Sequence, residues 1–326
     1  MKPAEKLRLG AKHYALSVLG LALLAVAMKV TGVFSCASLV AEADLVQLAL
    51  ALASIHACML FFALSWYVLI WGRISFRRAY AITWACRFVN LLIPSGSITG
   101  EALRLYLTVK SGVNRGEASS SIVVHRLLTL LPFIAFSILG LIAAGARLER
   151  GTMLGILVSV GVLMGIFYAA FHLSTSEKAL LRFLSFFWRR LGRGSHDLSS
   201  LVEEHVAYFK GYVRSTRTIL SAGALSLLSW MFDVLPVLFV FSSLGYRIPV
   251  GLGIFAYSVN VLMTALPTSI PGNLGIREGA MIAILAAYGV PKSIAGLATF
   301  LASTVVIFLN QLLFGYLFYL SIVREL

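Results

Sequence analysis

Pro267-Thr268-Ser269-Ile270-Pro271-Gly272-Asn273-Leu274-Gly275-Ile276-Arg277-Glu278 cuts through an apolar stretch that runs from Gly251 to Tyr288. A second cluster of the same character, Ile93-Pro94-Ser95-Gly96-Ser97-Ile98-Thr99-Gly100-Glu101, cuts through Ala79–Thr108. No single helix passes through either cluster, because Pro lacks the backbone donor and Gly loosens the chain. The breaks are expected at Pro94, Gly96 and Gly100 in one stretch and at Pro271, Gly272 and Gly275 in the other. Irregular backbone cannot face lipid, so each break must be buried in protein or line a wet cavity. The economical reading is two re-entrant hairpins, 79–108 and 251–288, with their tips inside a membrane.

The two stretches also match each other. Pro94 and Pro271 stand 177 positions apart, as do Glu101 and Glu278, and Gly112 and Gly289. Around them lie six runs long enough for a bilayer core, which takes about 20 apolar residues in a helix. They are Ala15–Val33, Gln47–Trp71, Ser119–Ala144, Thr152–Phe171, Thr218–Leu244 and Ala295–Val323. The expected fold is therefore an all-α polytopic membrane protein with six spanning helices and two re-entrant broken-helix hairpins. A fixed internal offset suggests two repeats. The first covers 1–149, with two helices, hairpin 79–108 and a third helix. The second covers 150–326, with a helix, a cytoplasmic linker 174–217, a helix, hairpin 251–288 and a last helix. Three crossings per repeat make the second copy inverted.

Composition agrees. Of 326 residues, 60% are apolar and only 12% charged, which argues against a water-soluble enzyme and against disorder. Twenty-seven Lys and Arg face thirteen Asp and Glu, a net charge of +14. With the N-terminus inside, twenty basic residues fall on cytoplasmic segments, chiefly in Arg73–Arg115 and Lys178–Arg217. Five fall outside: Arg147, Arg150, Arg247, Arg277 and Lys292. That bias orients a multi-pass protein of the cell membrane with both termini cytoplasmic, and it accounts for the basic charge without nucleic acid. The first run has a basic leader but no small-residue cleavage site, so it reads as a retained anchor. Cys36, Cys58 and Cys86 show no paired spacing and suggest neither a disulfide framework nor a metal site. Linker 174–217 mixes aromatic with basic residues; it reads either as an interfacial helix on an anionic leaflet or as a solvated linker. His196 and His205, nine positions apart within it, read as surface residues.

Ionisable groups inside apolar runs are expensive and point to function. Glu101 and Glu278 follow the breaks, where a carboxylate complements the positive end of a new helix. Each either caps its own helix or helps to bind a substrate. Arg104, Arg126 and Arg277 suit an anionic phosphate, because a planar guanidinium binds it bidentately and keeps its charge when buried. Arg87 and Asn90 precede the first break and Asn260 the second, positions where Asn can satisfy freed backbone groups. Asp233 either binds a coupling proton or pairs with a basic group such as Lys29. His125 stands beside Arg126. No catalytic set, metal site or cofactor is expected, and neither a P-loop nor a zinc-protease or serine-hydrolase motif occurs.

Asn90-Leu91-Leu92-Ile93-Pro94 with Gly100-Glu101-Ala102-Leu103-Arg104 resembles the first motif of the lysylphosphatidylglycerol synthase transmembrane region family. Ser269 to Ala280 resembles its second, Pro-Gly-x-x-Gly-x-x-Glu. Members include the flippase half of the multiple peptide resistance factor. The resemblance implies a flippase-like translocator of anionic or aminoacylated phospholipids. Membrane phospholipids are its expected partners, with a separately encoded lipid-modifying synthase or glycosyltransferase as another. The alternative it leaves is an integral-membrane enzyme or accessory subunit acting on a lipid-linked substrate. His125-Arg126 stands where the family often has Glu-Arg. The sequence ends three residues after its last apolar run, so lysyl transfer by a fused synthase domain is not expected.

Overall fold

A computed structural model describes residues 21–22, 24–32, 38–70, 72–93, 97–144, 150–190, 196–264, 268 and 270–324. Every regular element among them is helical. From Leu45 onward we label the α-helices α1 (Leu45–Leu69), α2 (Phe76–Leu92), α3 (Ile98–Lys110), α4 (Arg115–Ala144), α5 (Arg150–Thr175), α6 (Glu177–Arg190) and α7 (His196–Arg214). Then follow α8 (Thr216–Ser243), α9 (Val250–Thr264), α10 (Ile276–Ala287), α11 (Lys292–Thr299) and α12 (Asn310–Arg324). A π-helical segment, Phe300–Leu309, joins the last two.

Five continuous helices among the described residues are long and apolar enough to cross a membrane: Leu45–Leu69, Arg115–Ile142, Met153–Thr175, Thr216–Ser243 and Lys292–Arg324. These match five of the six expected spans. Of the sixth, Ala15–Val33, residues 15–20, 23 and 33 lie outside the described residues. Short polar caps set the boundaries. Asp44 Oδ1 accepts the backbone N–H of Val46 at 2.8 Å and of Gln47 at 3.3 Å, starting α1. Asn114 Oδ1 does the same for Gly116 at 2.7 Å and Glu117 at 3.2 Å, starting α4. Such caps satisfy donors that the first turn leaves open.

The chain breaks where Pro and Gly cluster. α2 ends at Leu92 and the chain resumes as α3 at Ile98, with Ser97 left-handed at φ 74°. α9 ends at Thr264, a 3₁₀ turn occupies Pro271–Asn273, and α10 begins at Ile276. Pro94 and Gly96 lie outside the described residues. Downstream the two stretches keep step: α3 and α10 end at Lys110 and Ala287, 177 apart, and α4 and α11 start at Arg115 and Lys292, again 177 apart. Gly112 and Gly289 make the intervening turns at φ 92° and 85°, a region that Gly enters without strain.

Packing follows a crossed pattern. The most extensive contact is α1 on α8, where Ser65 Oγ donates to Ala222 O at 2.8 Å and meets Ser226 Oγ at 2.7 Å. α2 packs on α12, and α9 packs on α4. The last two crossings each have a glycine in close contact with the partner helix. A Cβ on Gly315 would lie 2.7 Å from Phe88 Cβ, and one on Gly140 would lie 2.9 Å from Phe255 Cα. Small residues let helices approach where apolar burial gives no drive against lipid. α5 packs little, leaving Leu154, Val158, Val162, Met164, Ile166 and Tyr168 exposed, as lipid-facing side chains should be.

The linker 174–217 is two helices, and α7 is built into the bundle. Leu198, Val202 and Val206 are buried against Leu180, Leu181 and Leu184 of α6. Gly116 of α4 lies so close to α7 that a Cβ there would overlap Glu204 Cβ at 2.4 Å. His205, expected on the surface, is buried: its Nδ1 meets Ser119 Oγ at 2.8 Å and its carbonyl accepts Ser120 Oγ at 2.6 Å. Burial holds its imidazole down to a pKa of about 4, because the charged form loses solvation. The side chain of His196 lies outside the described residues.

Candidate functional site

The first break is braced by Asn90. Its Oδ1 accepts the Gly100 N–H at 2.7 Å, and a Cβ at position 100 would lie 2.4 Å from the Asn90 amide, so only Gly fits. That bond fixes the start of α3 and aims Glu101 at two arginines. Glu101 Oε2 accepts Arg104 Nη1 at 3.4 Å, and Glu101 Oε1 pairs with Arg126 Nη2. Arg104 is 2% exposed; both of its Nη atoms lie 3.2 Å from His125 Nδ1, and its guanidinium lies 3.8 Å over the Trp66 ring. Trp66 is itself held by Nε1 donating to Ser121 Oγ at 3.2 Å. An imidazole nitrogen facing two guanidinium N–H groups must accept, so His125 does here what a carboxylate would do, without its charge.

Arg126 differs. Its side chain is 41% exposed and that of Glu101 22%, so the Arg126 end of this cluster is open. Two guanidiniums share one carboxylate, leaving one positive charge in excess.

The second break gathers Arg277 and Glu278 into a closed cluster. Glu278 Oε2 accepts the Gly275 N–H at 2.7 Å, the reach-back that caps α10. Its Oε1 accepts Arg277 Nε at 2.7 Å, Ser303 Oγ at 2.9 Å and Thr304 Oγ1 at 3.3 Å. Arg277 Nη2 donates to Ser303 O at 3.2 Å, and the side chains of the pair are 5% and 1% exposed. Asn260 Nδ2 ties this cluster to Arg277 O and Ser303 Oγ, both at 3.2 Å. Gly272, at φ 59°, leaves room for Phe308, whose ring would meet a Cβ there at 2.4 Å. Here the charges balance. The 3₁₀ turn starting at Pro271 packs against α2, so the second break touches the helix that precedes the first break.

Asp233 on α8 meets Cys58 of α1 and Tyr257 of α9. Lys29, its expected partner, is exposed, and the cation that acts on Asp233 is Arg87. Arg87 lies 4.8 Å over the Phe62 ring. Besides Cys58 and Tyr257, three partners escaped the sequence reading: Trp66, Ser303 and Thr304. The signal for the last two was present, as adjacent hydroxyls in a purely apolar run. Among the described residues no group of three or more metal-binding side chains occurs.

A cavity of about 570 Å³ lies where α7 meets the bundle, lined by Val68, Leu69, Arg73, Glu117, Tyr208 and Tyr212. Arg73 Nε pairs with Glu117 Oε1 at 3.0 Å, which pushes the guanidinium pKa further up.

The sequence profile of the lysylphosphatidylglycerol synthase TM region matches residues 15–315. A UPF0104 membrane protein of Pyrococcus horikoshii is 24% identical over 94% of this chain and 96% of its own length. A UPF0104 membrane protein of Methanocaldococcus jannaschii is 25% identical over 77% of this chain and 76% of its own. No solved structure matches. The helices, the two breaks and the profile agree: this multi-pass membrane protein belongs to the lysylphosphatidylglycerol synthase TM region family.

Proposed function

We propose that the protein moves an anionic or aminoacylated phospholipid headgroup between the leaflets of the cell membrane. The observation that carries this reading is the Glu101–Arg104–Arg126 cluster, which holds one excess positive charge at the start of a broken helix and opens on the Arg126 side. A phosphate would replace Glu101 as the partner of Arg126, and the N-terminus of α3 would add its own positive end. Glu101, released, could meet the amine of an aminoacylated headgroup.

Arg277 and Glu278 form the second half of the path. In this conformation they close on each other and on Ser303, and a headgroup reaching them must separate that pair. The crossed packing of α2 on α12 and α9 on α4, with α1 on α8, is the pattern expected of two inverted repeats of 1–149 and 150–326 meeting about a two-fold axis. On this reading the breaks belong to re-entrant hairpins entering from opposite faces, and both termini are cytoplasmic. The test is reconstitution. Proteoliposomes should move a labelled anionic phospholipid between leaflets faster than protein-free vesicles; failure with every anionic and aminoacylated headgroup tried would refute the proposal.

A further inference from the structure

Asp233 is the acid on which both broken-helix units converge. Its Oδ1 accepts the Cys58 thiol at 3.4 Å, and the Tyr257 hydroxyl donates to the same carboxylate. Ser229, one turn earlier on α8, donates to the Cys58 carbonyl at 3.1 Å and lies 3.5 Å from its sulfur, which positions the thiol. Both donors to Asp233 are neutral. The ion pairs among the described residues are Arg73–Glu117, Arg104–Glu101, Arg126–Glu101 and Arg277–Glu278; neither Asp233 nor Arg87 takes part in one.

The titratable or charged groups facing Asp233 are Cys58 from α1, Arg87 from α2 and Tyr257 from α9. The π-helical segment packed on α8 contains none, and Lys292 of α11 is exposed. His125 of α4 meets Phe62 edge-on and feels Arg87, but does not act on Asp233. Tyr257 lies on α9, the helix before the second break, and Arg87 on α2, the helix before the first. A half-buried acid with neutral donors, facing a cation with which it forms no ion pair, changes the force on that cation whenever it gains or loses a proton.

The path onward is short. Arg87 and Asn90 share α2 three residues apart, so they lie on one helix face. Asn90 holds the Gly100 N–H, and Glu101 follows directly. We infer that Asp233 is a proton-binding site that couples proton movement to headgroup movement at Glu101 and Arg126, an assignment that rests on the translocation reading. Protonation adds H⁺ to the carboxylate and removes its pull on Arg87; deprotonation restores it. No redox step or other co-reactant is involved.

The experiment uses proteoliposomes holding a labelled anionic phospholipid, with a pH gradient imposed across them. With one proton per lipid, a gradient of one pH unit should bias the leaflet distribution about tenfold in wild type. Asp233→Asn should lose the bias while lipid still equilibrates. Lipid that equilibrates in wild type regardless of the gradient overturns the coupling but not the translocation reading; no lipid movement by wild type overturns the latter. Infrared difference spectra over a pH titration give a readout independent of transport. A carboxylic-acid C=O band should appear on acidification in wild type and be absent from Asp233→Asn; a band unchanged by the substitution overturns the site. Should Asp233→Asn fail to fold, Tyr257→Phe should move the titration of that band, and an unmoved titration overturns the assignment.

Discussion

Neutralising Glu278 isolates what holds the second break. Glu278→Gln keeps the side chain's shape and leaves no cavity, but it removes the charge that offsets Arg277, whose side chain is 5% exposed. The amide must also face four donors, Gly275 N, Arg277 Nε, Ser303 Oγ and Thr304 Oγ1, with half the acceptor capacity. Breaking a buried pair on one side costs about 3–5 kcal/mol, because a desolvated charge is left alone. Arg277→Gln with Glu278→Gln removes that charge as well and should recover at least about 1 kcal/mol of the loss. Arg73→Gln is the internal comparison: that guanidinium is 57% exposed, and an exposed pair contributes no more than about 1 kcal/mol. Thermal melting followed by size-exclusion chromatography in detergent should rank Arg73→Gln near wild type, the double variant below it and Glu278→Gln lowest. If Glu278→Gln melts with wild type, or the double variant loses the full sum of both single losses, the closed ion cluster is not what holds the break.

Gly315→Ala should lower the melting temperature by forcing α12 off α2, whereas Gly155→Ala, with nothing within 4 Å of the new Cβ, should not. His205 has a folded pKa of about 4, below its unfolded value near 6.5, so docking of α7 is fully supported above about pH 6.5 and weakens as pH falls towards 4. By pH 4 the loss reaches about 3 kcal/mol, and proteolysis or amide exchange across α7 should rise over that window; exchange that ignores pH would contradict the buried neutral imidazole. Single cysteines at Arg115 and Lys292 should label from opposite faces of the membrane, and same-face labelling would overturn the inverted arrangement.

The breaks were legible because Pro and Gly act locally: Pro271, Gly272 and Gly275 disrupt a helix wherever it packs. The ends of α3 and α10 fall 177 positions apart, the offset at which Gly112 and Gly289 recur in the sequence. Partnerships across helices were not legible. Lys29 was a reasonable counter-ion for Asp233 by type, yet Cys58 and Tyr257 lie on helices whose rotation only packing decides. Ser303 and Thr304 stayed hidden for a sharper reason. Successive residues of an α-helix point about 100° apart and would not reach one carboxylate together. The π-helical segment alters that stagger, and both hydroxyls bond Glu278 Oε1. Arg104 and Arg126, grouped by residue type as equal candidates, are separated only by depth: one lies sealed under Trp66 and His125, the other is open.

The most direct test compares leaflet exchange of a labelled anionic phospholipid in vesicles carrying wild type or Arg126→Gln, with melting temperatures measured alongside. Arg126 is partly exposed, so its loss should leave the fold intact. The expected result is exchange at least about tenfold slower in the variant at an unchanged melting temperature, corresponding to about 1.4 kcal/mol of lost headgroup interaction. Exchange equal to wild type in a folded Arg126→Gln protein would contradict the assignment of the Glu101–Arg104–Arg126 cluster as the headgroup site.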